Sequence, residues 1–154
     1  MKEIVAMPNR PALVLALLAF AAAALAQPAP APADVPAASA ADRRIVVTYF
    51  HGDLRCATCK KLEAYAREAI TAAFAAELAS GRLAFKAVNT DRPENQHFIK
   101  DYSLVTKALV VTEEADGTVL RWTNLDRIWT LVRDKAAYTD YVVTGVRAYL
   151  GPAS

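Results

Sequence analysis

Residues 45–62, IVVTYFHGDLRCATCKKL, constrain the fold of this 154-residue chain more than any other segment. The β-branched and aromatic run at residues 45–50 predicts a strand that is buried on both faces. A polar loop follows, and Cys56 and Cys59 then open a long helical pattern. The sequence therefore predicts a strand that delivers two cysteines to the first turn of a helix.

The N-terminal part of the chain has the features of an export signal. Lys2 and Arg10 precede an apolar run, residues 11–26, which ends in Ala-Leu-Ala as secretory signal peptides do. A retained membrane anchor is the alternative, although the run is shorter than the roughly 20 residues that span a bilayer. We therefore expect a signal peptide over residues 1–26 and an exported protein, located in a bacterial periplasm.

The segment after the signal differs in composition from the rest of the chain. Residues 27–42, QPAPAPADVPAASAAD, are rich in Pro and Ala and have no hydrophobic period. Prolines remove backbone donors and favour extended conformations, so this segment is expected to be a linker. The folded domain is expected over residues 43–150.

The charge of the mature chain argues against one class of partner. Without the signal segment, 16 basic and 15 acidic residues remain. Nucleic-acid binding requires clustered positive charge, and the sequence contains no such cluster. We expect no nucleic-acid partner, and contact with a membrane only transiently during export.

The remaining pattern alternates between helical and strand periods. A helix is expected from residue 56 or 57 to about residue 80, ended by Gly81. Further strands are expected at residues 83–89, 107–112 and 118–123, with Asp116-Gly117 as the hairpin turn between the last two. Further helices are expected from Asp91, as N-cap, to about Tyr102, and over residues 124–150 with a break near Asp134.

This order is β-α-β-α-β-β-α. The early helical crossovers require parallel strands and the late hairpin requires antiparallel ones, so the expected architecture is α/β, a mixed four-stranded sheet flanked by helices. Tyr138, Val142 and Val146 lie at helical spacing and are expected in the core. Trp122 and Trp129 are expected to be apolar cover, since that role is commoner for tryptophan than a ligand platform.

With a Cys-x-x-Cys motif between its first strand and its first long helix, the chain resembles the thioredoxin-like superfamily over residues 43–150. More narrowly, HGDLRCATCKKLE and KDYSLVTKALVV resemble exported thioredoxin-like proteins that are labelled as subunits of a nitrophenyl-compound nitroreductase. The chain has no GxGxxG or similar fingerprint for a flavin or nicotinamide cofactor. The resemblance implies a thiol–disulfide oxidoreductase, and the exchange needs no separate cofactor.

The two cysteines are expected to have different roles. Cys56 lies at the N-terminal end of the helix, where unpaired N–H groups and the helix macrodipole favour a thiolate, so it is expected to attack the partner. Cys59 lies one turn further into the helix and is expected to resolve the mixed disulfide. Arg55 and Lys60 add positive charge nearby. A purely structural disulfide is the alternative, but closing a four-residue loop stabilises a protein by only roughly 2 kcal/mol.

The sequence departs from the thioredoxin pattern at two places. Thioredoxins usually have a cis-proline before the third core strand, where this chain has Thr106 and Lys107; we expect a trans peptide there and a specialised partner. The buried acid common in the first strand is also missing, and Tyr49 and Phe50 occupy that region. The partner is expected to be a protein or a small molecule with a thiol or disulfide.

His51 leaves two alternatives open. At the end of the first strand it is a candidate for tuning the thiolate, and with Cys56 and Cys59 it is a candidate ligand for a soft metal or metalloid. A solvated loop histidine is the commoner outcome, and no metal site is assigned.

A third hypothesis for the function of the protein is an electron-carrying subunit of a larger complex.

Overall fold

Four strands form one mixed sheet in the computed structural model, which describes residues 43–151. Strand β1 (Arg43–His51) pairs in parallel with β2 (Leu83–Asn89) and antiparallel with β3 (Ala108–Ala115). Strand β4 (Thr118–Asn124) pairs antiparallel with β3, so the order is β2-β1-β3-β4. The predicted mixed four-stranded sheet is confirmed.

The helices connect these strands in the predicted order. Their bounds are α1 Ala57–Ala73, α2 Ala75–Ala79, α3 His97–Asp101, α4 Ile128–Leu131 and α5 Lys135–Leu150, with a 3-10 turn at Pro93–Asn95 before α3. Together with the sheet they give a thioredoxin-like α/β fold. None of the helices in the described part of the chain has the length and apolarity needed to cross a membrane. The predicted signal peptide and linker lie outside the described residues.

The main core lies between one face of the sheet and the helices α1 and α5. Alternate residues of β1 point to this face, because side chains along a strand alternate between the two sides of a sheet. The members of this core are buried apolar side chains: Ile45, Val47, Tyr49, Leu62, Ala66, Ile70, Leu109, Val111, Tyr138, Val142 and Val146 among others. It fixes the start of α1 relative to the centre of the sheet.

A smaller core lies on the opposite face. Phe50, Tyr102, Ala108 and Val110 are buried there, and Phe98 of α3 packs against them. The rings of Phe50 and Phe98 are 5.2 Å apart. This cluster explains why a five-residue helix is stable at this position, since such a short helix depends on its packing.

The long first helix is shorter than predicted because it breaks at Phe74. This residue has φ −134° and ψ 39°, outside the helical region, and its side chain is buried in the main core. A short second helix, α2, follows and ends before Gly81, whose φ of +77° agrees with its predicted role as the stop.

The prediction that Asp91 caps a helix is wrong. Arg92 precedes the 3-10 turn, and its side chain makes no cap hydrogen bond. The Asp91 carboxylate instead accepts a hydrogen bond from the backbone N–H of Asp53, at 2.7 Å. The single helix expected as far as Tyr102 is divided into the 3-10 turn and α3, because no side chain satisfies the first backbone donors.

The C-terminal half follows the predictions except that β4 continues to Asn124, so the helical part begins at Ile128 and not at residue 124. Asp116 and Gly117 have φ of +51° and +75°, as a two-residue hairpin turn requires. Asp134 is the N-cap of α5 and accepts a hydrogen bond from the Ala137 N–H at 3.0 Å. Trp129 packs against the main core as expected. Trp122 on β4 remains 41% exposed, and its ring packs edge-on against Tyr102 of the smaller core at 5.3 Å.

Candidate active site

Cys56 is the N-cap of α1. Its Sγ accepts a hydrogen bond from the backbone N–H of Cys59 at 3.1 Å, so the sulfur occupies the position that Ser or Asp takes in other helix caps. The residue is exposed. A helix of 17 residues directs its unpaired N–H groups and the positive end of its dipole at this sulfur, which favours the thiolate over the thiol when the disulfide is open.

Cys59 is bonded to Cys56 in a disulfide, with 5.1 Å between the two Cα atoms. Unlike Cys56, it is buried, at 4% exposure. An incoming partner therefore reaches the sulfur of Cys56 more easily than that of Cys59. The two cysteine residues therefore differ in exposure, with Cys56 exposed and Cys59 buried.

A buried tyrosine of β1 lies directly behind Cys59. The Tyr49 hydroxyl donates a hydrogen bond to the backbone carbonyl of Cys59 at 2.8 Å. Burial raises the pKa of Tyr49 to about 12, although the nearby Arg55 guanidinium opposes part of this rise. The phenol therefore keeps its proton, and remains a donor, at every pH where the thiols react.

Arg55, the residue before Cys56, folds back along α1. Its guanidinium forms an ion pair with Glu63, which also pairs with Arg67 at 3.0 Å. The Arg55 Nε atom is buried and has no hydrogen-bond partner among the described residues. Arg55, Lys60, Glu63 and Arg67 line an open hollow along α1. Part of the positive charge of Arg55 is therefore neutralised by Glu63.

The loop between β1 and α1 is held by polar side chains at the end of β2. Asn89 Nδ2 donates to the Asp53 carboxylate at 2.6 Å, and Asp91 accepts from the Asp53 N–H. The Thr90 hydroxyl donates to the carbonyl of His51 at 3.1 Å. A Cβ at Gly52 would lie 2.7 Å from an oxygen of the Asp91 side chain, so a larger residue here would displace that carboxylate. These bonds fix the segment that leads into Cys56.

Three predicted tuning residues share one cleft beside this loop. His51, Thr106 and Lys107 line a cleft of about 280 Å³ together with Leu54, which is 86% exposed, and Val105, which is 97% exposed. Neither cysteine lines the cleft, but Leu54 at its border is two residues before Cys56.

The predicted trans peptide at Thr106 and Lys107 is confirmed: within residues 43–151 there is no cis peptide bond. The Lys107 carbonyl accepts a hydrogen bond from the Trp129 indole at 2.9 Å. Trp129 in α4 therefore fixes the position of this loop, a task that sequence alone did not assign to it.

The predicted site residues thus fall into two groups. Arg55 and Lys60 lie along α1 behind the disulfide, while His51, Thr106 and Lys107 line the cleft. The His51 Nδ1 donates to the Gly52 carbonyl at 3.0 Å, so this nitrogen is occupied within the loop. Within residues 43–151, no group of three or more His, Cys, Asp or Glu side chains is arranged to hold a metal ion.

Sequence reasoning missed three residues that hold the site: Glu63, Asn89 and Asp53. The side chain of Glu63 is only 15% exposed although it is charged. Its distance of four residues from Cys59 was a usable signal, because residues four apart lie on the same helix face. Asn89 and Asp53 carried no comparable signal, since their contact joins the end of β2 to the loop after β1, 36 residues apart in sequence.

Comparisons with known proteins give limited results. No protein-family model matches the chain, and no curated protein gives a significant match. Among solved structures, it is similar to the thioredoxin of Fasciola hepatica, with 20% identity and a TM-score of 0.35 over 62% of this chain and 81% of that one. It is also similar to a thioredoxin from Thermus thermophilus, with 16% identity and a TM-score of 0.38 over 71% of this chain and 85% of that one.

Proposed function

We propose that this protein is an exported thiol–disulfide oxidoreductase that uses Cys56 and Cys59 as its redox couple. The observation that carries the proposal is the asymmetry of the disulfide: Cys56 is an exposed N-cap at the start of a 17-residue helix, whereas Cys59 is buried one turn inward. A bridge that serves stability alone needs no such difference in exposure, and it gains little from closing a four-residue loop.

The mechanism proceeds through a mixed disulfide. In the reduced protein the Cys56 thiolate attacks a partner disulfide, forming a bond between Cys56 Sγ and one partner sulfur while the other partner sulfur leaves as a thiolate and takes up a proton. Cys59 then loses its proton and attacks Cys56 Sγ. The Cys56–Cys59 bond forms, the bond to the partner breaks, and the second partner sulfur leaves and is protonated. Two electrons have passed to the partner, and no cofactor takes part.

The cleft beside Leu54 supports a specialised partner. Its rim combines two highly exposed apolar side chains, Leu54 and Val105, with the polar residues His51, Thr106 and Lys107. In the absence of a proline at Thr106 and Lys107, we propose that the partner is a protein or small thiol or disulfide compound that fits this cleft. The bacterial periplasm is the proposed location.

Two other functions use the same cysteines. A soft-metal or metalloid module would bind through Cys56 and Cys59 after reduction, with His51 as a further ligand. An electron-carrying subunit of a larger complex, the role that the nitroreductase-subunit label suggests, would pass its electrons through the same couple. Neither alternative has an observation of its own in the described residues, and the test below has an outcome that would favour the metal-binding module.

The test is catalysed reduction of a protein disulfide. Three proteins that each begin at residue 43 are compared in an insulin-reduction assay with dithiothreitol: the wild type, Cys56→Ser and Cys59→Ser. Wild-type protein should accelerate the reduction, and each variant should be near the uncatalysed rate, because both sulfurs are needed for turnover. Wild-type protein that fails to accelerate the reduction of insulin and of oxidised glutathione, but binds Cu(I) tightly, would replace the proposal with the metal-binding module.

A further inference from the structure

Two buried tyrosines donate hydrogen bonds to carbonyl groups of α1. The Tyr49 hydroxyl bonds to the Cys59 carbonyl at 2.8 Å, and the Tyr138 hydroxyl bonds to the Leu62 carbonyl at 2.7 Å. Both side chains are fully buried. They come from different elements, β1 and α5, and contact carbonyls that are three residues apart. The two bonds are alike except that only one of them is made to a cysteine.

We propose that Tyr49 is a positioning residue for the resolving thiol, holding the Cys59 backbone so that its sulfur stays within reach of Cys56 when the disulfide is open. This inference rests on the proposed function, because it concerns the second step of the same exchange. It assigns to the hydroxyl of Tyr49 the task of keeping the resolving side of the site fixed.

The anchor itself is rigid. Tyr49 lies in the central strand, where it is paired with Ala87 of β2 on one side and with Leu109 of β3 on the other. A helix carbonyl has a second lone pair, so the Cys59 carbonyl can accept from the phenol without losing its place in the helix. The backbone of Cys59 is therefore tied to the middle of the sheet, whereas the exposed Cys56 follows a loop.

This difference matters for ring closure. The attack of Cys59 on the mixed disulfide is intramolecular, and the rate of such a step depends steeply on how well the reacting atoms are held. Burial raises the pKa of Tyr49, so its phenol is a donor and not a base for the Cys59 proton, which ends on the departing partner sulfur. The Tyr49 hydroxyl therefore acts by positioning the Cys59 backbone and not by transferring a proton.

The experiment measures disulfide closure against a matched control. Wild-type protein, Tyr49→Phe and Tyr138→Phe, each checked for folding by circular dichroism, are equilibrated with reduced and oxidised glutathione. Both variants lose one buried hydroxyl that bonds to α1. Tyr49→Phe should lower the equilibrium constant for closure by about tenfold and prolong the glutathione adduct at Cys56, because the effective concentration of the Cys59 thiol falls. Tyr138→Phe should change the equilibrium constant for closure and the lifetime of the adduct by less than about twofold.

Equal effects in the two variants would overturn the inference, since they would show a general loss of helix packing. If Tyr49→Phe does not fold, the Tyr49 hydroxyl proton of the wild-type protein is followed by NMR in the oxidised and reduced states. Its persistence in both states supports the inference, and its loss on reduction contradicts it. Glutathione closure is measurable for any pair of thiols, so a protein that shows the tyrosine effect but accelerates the reduction of neither insulin nor oxidised glutathione by dithiothreitol would refute the proposed function alone.

Discussion

Arg55 forms an ion pair with Glu63, two turns along the helix that begins next to it. The carboxylate thereby offsets the positive charge of the residue that directly precedes Cys56 in the chain. Replacing Glu63 by Gln removes this offset, and a net positive charge close to a thiol lowers its pKa. Glu63→Gln should therefore increase the rate of Cys56 alkylation by iodoacetamide at pH 6 by about threefold to tenfold, for a pKa lowered by roughly half a unit to one unit.

Glu68→Gln is the matched control for this prediction. Glu68 lies on the same helix and forms an ion pair with Lys135 at 2.7 Å, but both partners are exposed. The same loss of one negative charge at this site should leave the alkylation rate nearly unchanged, because solvent screens exposed charges. An equal increase in both variants would mean that net charge, and not the Arg55 contact, sets the reactivity.

The buried tyrosines predict a loss of stability at high pH. Burial raises the pKa of Tyr49 to about 12 and that of Tyr138 further. The unfolded chain therefore releases these protons first, so the stabilisation present below pH 10 is lost as the pH rises towards the folded-state values. Each such tyrosine contributes a slope of up to about 1.4 kcal/mol per pH unit. Urea unfolding between pH 9 and 11 should show that the free energy of unfolding declines less steeply with pH in Tyr138→Phe than in the wild type. An unchanged slope would contradict this prediction.

The carboxylate of Glu113 predicts a loss of stability at low pH. Hydrogen bonding from the Arg121 side chain, helped by Arg43, lowers the pKa of this buried group against the opposing effect of burial. The stabilisation is present above the ordinary pKa of a glutamate and is lost as the pH falls through the depressed folded value. Glu113→Gln should lower the free energy of unfolding by about 1–2 kcal/mol at pH 7 and by much less at pH 3.

The neighbouring Glu114 provides the comparison. It pairs with Arg44 at 2.8 Å, nearer the surface. Glu114→Gln should cost less than about 1 kcal/mol, the usual range for exposed pairs. Chemical denaturation of both variants at pH 7 and pH 3 measures the free energy of unfolding. An equal loss of stability in the two variants at pH 7 would show that the arginine pairing of Glu113 is unimportant. A loss in Glu113→Gln that is as large at pH 3 as at pH 7 would show the same.

Gly52 predicts a local change in the loop that leads to Cys56. A Cβ at this position would meet the Asp91 carboxylate that accepts the Asp53 N–H. Gly52→Ala should therefore speed hydrogen exchange of the Asp53 amide by at least about tenfold, a loss of roughly 1.4 kcal/mol of protection. Asp91→Ala removes the acceptor without the steric contact and should give a similar increase. Unchanged exchange in Gly52→Ala would mean that Asp91 moves aside with its bond intact.

Local sequence patterns were sufficient for the architecture. The strand at residues 83–89, the Asp116-Gly117 turn and the helix break near Asp134 follow from local rules on periodicity and turns, and the structure confirms them. Phe74 shows the limit of such rules. It continues the apolar period from Ile70, yet its backbone leaves the helical region while its side chain stays buried in the main core, and no local rule indicates this break.

The candidate site was predictable in its sulfur atoms and less so in its surroundings. The exposure of Cys56 and the burial of Cys59 follow from one turn of helix. The contact between Tyr49 and Cys59 depends on how β1 and α1 cross, which no local pattern specifies. The contact between Asp91 and Asp53 competes with helix capping, and the residue type alone does not show which of the two an aspartate will adopt.

The most direct test of the central claim is the intact mass of two cysteine variants after exposure to oxidised glutathione at pH 7. If Cys56 attacks and Cys59 resolves, then reduced Cys59→Ser should form a stable glutathione adduct at Cys56 within seconds to minutes. Reduced Cys56→Ser should react at least about tenfold more slowly, because its remaining thiol is buried. Equal adduct formation in the two variants, or faster reaction of Cys56→Ser, would contradict the assignment of the two sulfurs.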